Sequence, residues 1–278
     1  MRYDDETLRN MQLMELDILK EVDRVCREHG IEYFLDSGSA LGAARHDGFI
    51  PWDDDIDIGM MRDDYDTFLA LGSEALGDRF VLSEPATNAS HSAMFAKVWL
   101  KGTKFYTEET LDAGMRQGVG IDIMPYDVLS EDEAVARKQQ RSCDLLQKLL
   151  YLYHSKNVVV PHKGLPGAFE RAACVVAHGV LRAFSSHERL VERFQRSALA
   201  GADNPGSTSA CMPYVSIGIY PTSALVPVGY RKFEDGRFPV PAELETYLEI
   251  MFGNWQELPP VEERRQHAPV ELDLNIEE

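Results

Sequence analysis

Between residues 53 and 66 the chain carries seven aspartates, Asp53, Asp54, Asp55, Asp57, Asp63, Asp64 and Asp66, against one base, Arg62, a local charge of −6 in fourteen residues. Carboxylates crowded in this way repel one another unless water solvates each of them or a cation joins them. A solvated acidic turn is the plain reading of such a run, but the residues between the acids argue for more. Asp55-Ile56-Asp57-Ile58 alternates acid and apolar. On a strand this places two carboxylates on one face, about 6.5 to 7 Å apart, and turns the isoleucines into a core. Two carboxylates so aligned can share hard divalent cations. A calcium loop of the EF-hand type fails on detail: Ile58 stands where Gly is required, Asp64 where a bidentate Glu is required, and the alternation implies a strand. Upstream, Ser37-Gly38-Ser39 reads as a phosphate-binding turn, because Gly admits close backbone approach and a following helix aims free amides at an anion. Downstream, Ile121-Asp122-Ile123 repeats the acid-between-apolars pattern. Three carboxylates on adjacent strands suit a two-metal phosphoryl-transfer site.

The elements that must position these groups follow from periodicity. Met11, Met14, Ile18, Val22 and Val25 line one face of a helix spanning about 5–29, closed by Gly30. Residues 31–35 read as a short buried strand, 36–39 as a turn and 40–45 as the start of a helix. Asp63 is placed to cap a helix carrying Tyr65, Phe68 and Leu69, and strands are expected at 80–83, 95–100 and 120–124. From residue 130 the pattern turns helical, with runs around Leu145 to Leu150, 167–184 and 187–200. A Gly, Ser and Pro-rich loop at 201–209 follows, then an apolar segment at 214–220, a hairpin across Asp235-Gly236 and a helix at about 242–252. The predicted organisation is a catalytic core over 1–129, a mainly helical insertion over 130–213, and a segment over 214–278 that returns to the core.

Composition bounds the function. At 278 residues the chain is about two domain lengths, and 44% hydrophobic with 27% charged residues indicates a folded globular protein. A net charge of −18 disfavours nucleic acid as a partner. Cys26, Cys143, Cys174 and Cys211 lie far apart with no Cys-x-x-Cys pair, so they read as reduced thiols of a cytoplasmic protein. The polar start, Met1 to Asp5, shows no secretory signal. The most apolar stretch, 172–184, contains His178 and Arg182 and is too short to span roughly 30 Å of hydrocarbon. It reads as a packed helix, with an interfacial helix as the alternative.

The run Leu41-Gly42-Ala43-Ala44-Arg45-His46-Asp47-Gly48-Phe49-Ile50-Pro51-Trp52-Asp53-Asp54-Asp55-Ile56-Asp57-Ile58 resembles the signature of the LicD family. That family includes bacterial phosphocholine transferases, is similar to the animal fukutin-related ribitol-phosphate transferases, and resembles the nucleotidyltransferase fold. The resemblance continues through 62–69, Gly120 to Asp127, Phe233 to Pro241, Tyr247-Leu248, Gly253 to Trp255, Leu258 to Pro260 and His267. Nothing in the helical middle contributes to it.

The resemblance implies an α/β fold, a nucleotidyltransferase-like mixed sheet with a helical insertion and a returning C-terminal segment. It implies a metal-dependent transferase, using Mg²⁺ or Mn²⁺, that moves a phospho-alcohol such as phosphocholine from a CDP-linked donor to a glycan or lipid-linked glycan hydroxyl and releases CMP. Asp55 and Asp57 would hold metal, and Asp122 would complete the triad and help deprotonate the acceptor. Gly38 and Ser39 would hold phosphate and Arg45 would clamp it. Asp53 and Asp54 would ligate directly or orient the ligands. Lys97 alternates outward on its strand, as a solvent-facing lysine or a phosphate neutraliser. A choline head would need aromatic faces, and Trp99 and Tyr106 flank the Lys97 strand as its walls. His46 and His267 rank lower, since a lone histidine is more often structural. Trp52 reads as a packing wedge. The location expected is cytoplasmic, compatible with transient contact with the inner membrane surface. The rivals are a nucleotidyltransferase that releases pyrophosphate and a non-catalytic module that binds calcium or glycan.

Overall fold

The computed structural model describes residues 3–157, 162–264 and 266–275. Met1 and Arg2, at the start of the segment read for a secretory signal, lie outside them, as do 276–278 at the end of the predicted C-terminal segment. The chain runs α1 (Asp5–His29), β1 (Phe34–Leu35), α2 (Ser37–Arg45), β2 (Asp57–Met61), α3 (Arg62–Ala75), β3 (Phe80–Ser83), β4 (Ala96–Leu100), β5 (Lys104–Tyr106), α4 (Glu108–Ala113) and β6 (Gly120–Ser130). There follow α5 (Glu133–His154), α6 (Gly164–Phe184), α7 (His187–Ala198), β7 (Pro205–Cys211), β8 (Tyr220–Pro221) and α8 (Thr222–Leu225). The last elements are β9 (Gly229–Phe233), β10 (Gly236–Val240), α9 (Leu244–Phe252) and β11 (Glu271–Asp273). This is a mixed α/β fold.

The main sheet has the order β1-β2-β6-β4-β3, with β7 and β8 added beyond the far part of the long β6. Only β2 and β6 pair in parallel, and their register sets Asp57 opposite Asp122. Ile56, Ile58, Ile121 and Ile123 are fully buried, so the apolar half of each alternating segment anchors the sheet and leaves the acids on the opposite face. Arg62, at the start of α3, grips Asp127 on β6 with two hydrogen bonds of 2.7 and 2.8 Å, a planar fork that ties the helix to the strand.

α1 matches its prediction at both ends. The Asp4 carboxylate accepts the Thr7 amide at 2.8 Å, and Gly30 takes φ 68°, a left-handed conformation that costs a glycine nothing. Other expectations shift. The strand at 31–35 contracts to Phe34–Leu35, and α2 begins at Ser37 instead of 40, because the buried Asp36 carboxylate caps it by accepting the Ser37 amide at 2.7 Å. Asp63 is not the cap of α3; that helix starts one residue earlier without a side-chain cap, and Asp63 and Asp64 lie in its first turn, where they complement the helix dipole. Residues 205–209, expected in a loop with the helical insertion, belong to β7 on the main sheet. The Gly and Ser content hid a strand that is fixed by pairing.

α5 and α7 pack on each other and against β6 and β7 around Leu146, Leu150, Leu190, Phe194, Leu129 and Ala210, and α6 lies against α5 outside that core. α6 corrects the expectation of a packed helix, since Phe169 and Phe184 are 77% and 81% exposed. Elements of the C-terminal segment pack on earlier parts of the chain. β9 and β10 form a hairpin about Glu234-Asp235, α9 packs on α2, and β11 pairs with β5.

Candidate active site

Three strands bring one row of charge to the open face of the sheet. Asp57 on β2 stands opposite Asp122 on β6, and Asp122 stands opposite Lys97 on β4. The Lys97 ammonium donates to Asp122 Oδ1 at 2.5 Å, so the lysine faces the site and not bulk solvent. Asp55 sits just before β2 on the same face, and Asp54 is buried beside it. His267, from the C-terminal segment, closes the cluster. Its backbone amide donates to Asp54 Oδ2 at 2.6 Å, and its Nδ1 lies 3.3 Å from Asp54 and 3.4 Å from Asp55.

These groups line a cavity of about 860 Å³. Phe95, Trp99, Phe105, Met115, Tyr151 and Tyr214 line it as well, and the Phe95 ring centroid lies 5.0 Å from the Lys97 ammonium. The cavity therefore offers both the charged and the aromatic surface that a phosphate and an organic head group would need.

Glu15 is a site residue that the sequence reading passed over. It projects from α1 into the cavity, is 2% exposed, and its Oε2 has no hydrogen-bond partner. The signal was present: Glu15 falls four residues after Met11 and three before Ile18, in the middle of an otherwise apolar stripe. Its neighbour Gln12 is also buried and donates to the Asp53 carbonyl at 2.8 Å, so α1 supports the acidic loop directly.

The electrostatics follow from this crowding. Burial and then the charges of Asp55, Asp54, Asp53 and Asp122 push the Glu15 carboxyl well above its ordinary range. Burial, Asp55 and Asp122 do the same for Asp57. Burial raises Asp55 to about 6, with His267 pulling the other way. The hydrogen bond from His267 to Asp54, with the charges of Asp55, Asp54 and Asp53, raises the imidazole to about 9.

The donor set fits a divalent cation. It consists of hard carboxylate oxygens, crowded and desolvated, with one buried oxygen left unpaired. Among the described residues, ligand atoms of Asp54, Asp55 and His267 lie within 4.8 Å of one another, and Asp57, Asp122 and Glu15 line the same cavity.

The other predicted residues lie elsewhere. Ser39 is buried beneath Asp57, and its Oγ accepts the Asp57 amide at 3.0 Å, which makes it a support of β2. Gly38 faces Asp53, whose Oδ2 lies 2.6 Å from where a Cβ would stand, so a larger residue there would have to displace the Asp53 carboxylate. Arg45 does not reach the cavity. Its Nη1 donates to the carbonyls of Trp255 and Glu257 at 2.7 and 3.1 Å and pins the C-terminal segment. Trp99 lines the cavity, whereas Tyr106 turns away and stacks under Arg116, with Phe105 taking the place expected of it. His46 packs edge-on against Trp52 outside the site.

Residues 30–131 match the nucleotidyltransferase domain model of the LicD/FKTN/FKRP family. These residues form a LicD-family nucleotidyltransferase domain. Similarity extends beyond the LicD domain: the chain is 27% identical to the lipopolysaccharide cholinephosphotransferase LicD of Haemophilus influenzae over 274 residues, 94% of this chain and 96% of that protein. It is also 54% identical to the ribitol 5-phosphate transferase FKRP of Homo sapiens over 35 residues, 13% of this chain and 7% of that protein. The chain is accordingly an enzyme, a phosphotransferase.

A test of the Glu15 assignment needs no substrate. In chelator, Glu15→Gln is expected to raise stability at pH 8 by roughly 1 to 3 kcal/mol, because it removes a buried and partly unsatisfied charge. A carboxyl whose folded pKa is raised opposes folding above that value, and the penalty is gone below the unfolded value of 4.5. The advantage of the variant should therefore shrink as pH falls towards that value. Denaturant melts at several pH values check it, and a gap that does not depend on pH would overturn the reading.

Proposed function

We propose that this enzyme transfers a phospho-alcohol group, phosphocholine foremost, from a CDP-linked donor to a glycan hydroxyl with release of CMP, and that it does so with Mg²⁺ or Mn²⁺. The observation that carries the reading is the lining of the cavity. A row of acids and one lysine shares it with a set of aromatic faces, in a chain similar over nearly its whole length to a cholinephosphotransferase.

Asp55, Asp57 and Asp122, with Asp54 and Glu15 beside them, are the residues that would hold metal. The cation would supply charge neutralisation at the diphosphate and at the leaving phosphate. The chain's own groups do the rest. Asp122 Oδ takes the proton of the acceptor hydroxyl as its oxygen attacks phosphorus in line with the leaving CMP. Lys97, already at the edge of the row, offers its ammonium to the phosphoryl oxygens as charge builds there. His267 carries a second positive charge at the acidic loop below about pH 9. The aromatic side chains of the lining exclude water and hold a quaternary ammonium by their ring faces.

The test is a panel of CDP-alcohols incubated with Mg²⁺, read for CMP. CMP from CDP-choline is expected, and pyrophosphate from a nucleoside triphosphate would replace this reading with nucleotidyl transfer. Trp99→Ala is expected to weaken CDP-choline binding by about 0.5 to 2 kcal/mol and leave CMP binding nearly constant, since CMP has no cation. Isothermal titration with both ligands separates the cases. Equal losses would mean that Trp99 contacts the nucleotide, and a panel favouring CDP-ribitol would remove the choline cage.

A further inference from the structure

We propose that the outer face of α5 and α6 is a docking surface for an anionic lipid bilayer. No helix among the described residues is long and apolar enough to cross a membrane, so the contact is peripheral. On α6, Phe169, Val176, Val180 and Phe184 recur at spacings of 7, 4 and 4 and are between 52% and 81% exposed. They form one helix face that stays exposed among the described residues. Beside them an apolar groove of about 550 Å³ runs between α6 and α5, with Leu149 and Leu152 as its α5 wall.

Charge identifies the occupant. The outward face of α5 carries Lys138, Arg141, Leu145 and Lys148, all exposed, at the helical spacings of 3, 4 and 3, and Lys156 continues the row past its end. Residues 133–198, from the start of α5 to the end of α7, hold eleven Lys and Arg against five Asp and Glu, a local charge of +6, in a chain of −18. The remainder therefore carries −24. A phospholipid surface of negative charge attracts these helices and repels the rest, which fixes the orientation as well as the contact. Basic side chains bordering an exposed apolar stripe are the composition of an interfacial helix. A second copy of the chain would bring one basic face against another, which this charge opposes.

The surface also adjoins the chemistry. Leu152 lines both the groove and the active cavity, and Lys148 lines the cavity as well. A bilayer seated here would bring the cavity close to an acceptor whose lipid is embedded in that bilayer. That consequence rests on the glycan-transfer reading; the surface itself does not.

Co-sedimentation of the full chain with vesicles tests the surface without any turnover. Vesicles of phosphatidylcholine and phosphatidylglycerol in equal parts should bind the protein, phosphatidylcholine alone should bind it far less, and salt should weaken the binding. Lys138→Glu with Arg141→Glu should lower binding to the mixed vesicles by roughly 10-fold or more, at about one kcal/mol for each basic residue removed. Phe169→Ser with Phe184→Ser should lower it similarly; both sites are exposed, and circular dichroism would verify that the fold is kept. No sedimentation with anionic vesicles, or sedimentation that both pairs leave unchanged, would overturn the proposal. So would a dimer in analytical ultracentrifugation that Val176→Glu abolishes, because the face would then belong to a second copy.

Discussion

Asp57→Asn is expected to keep the fold and to abolish turnover, with a loss of roughly 10³-fold or more, the scale of removing one group that stabilises developing charge. Asp57 begins β2, its amide is held by Ser39 and its carbonyl by the Asp36 amide at 2.9 Å, and asparagine keeps both backbone contacts. Only the carboxylate changes. In chelator the variant should be the more stable protein by roughly 0.5 to 2 kcal/mol, since a charge disfavoured by burial and by Asp55 and Asp122 has gone. Because the Asp57 carboxyl is raised in the folded state, that advantage is largest above neutrality and fades as pH falls towards the unfolded value of 3.8. With Mg²⁺ the order should reverse, as wild type gains more from binding. Calorimetric titration of Mg²⁺ and Mn²⁺ into both proteins checks this, and equal affinities would reject Asp57 as a ligand.

Asp122→Asn should lower kcat by about 10² to 10⁴ with donor affinity little changed, the pattern of a lost general base. The geometry places Asp122 between Asp57 and Lys97, where it can meet an incoming hydroxyl and where its partner lysine can turn to the phosphate. Amide substitution leaves Lys97 with a neutral neighbour, so its affinity for phosphate should hold or rise. Single-turnover kinetics with separately measured donor binding decides the matter. A collapse of affinity along with rate would make Asp122 chiefly a metal ligand.

Much of this architecture can be read along the chain where the pattern is local. The apolar stripe of α1, its Gly30 cap and the acid-isoleucine alternation before and within β2 each contain their own instruction, and each forms close to where it was expected. The features that could not be read are those that depend on residues far apart. Arg45 looks like a free cation beside an acidic run until Trp255 and Glu257 arrive with their carbonyls. His267 is a lone histidine until the path of the tail sets it against Asp54. β7 has the composition of a loop and becomes a strand because β6 extends far enough to pair with it. Glu15 lay within a local pattern, but as an interruption of it, and its meaning needed the loop that folds over α1. The exposed face of α6 shows the same limit from the other side, for periodicity reports an apolar stripe without saying whether the protein covers it.

The acidic centre is assembled from both ends of the polypeptide, with Glu15 and Gln12 from the first helix and His267 from the closing segment. A chain still on the ribosome that has not reached residue 267 thus presents a nest of mutually repelling carboxylates without the imidazolium that offsets them. Until residue 257 is made, Arg45 also lacks the carbonyls that anchor it. Such a polypeptide should hold its sheet yet remain vulnerable around the 53–57 loop, where proteases and chaperones would find purchase. A chain that stops before His267 should therefore be cleaved more readily around residues 53–57 than the chain that contains it, which limited proteolysis of the two would check.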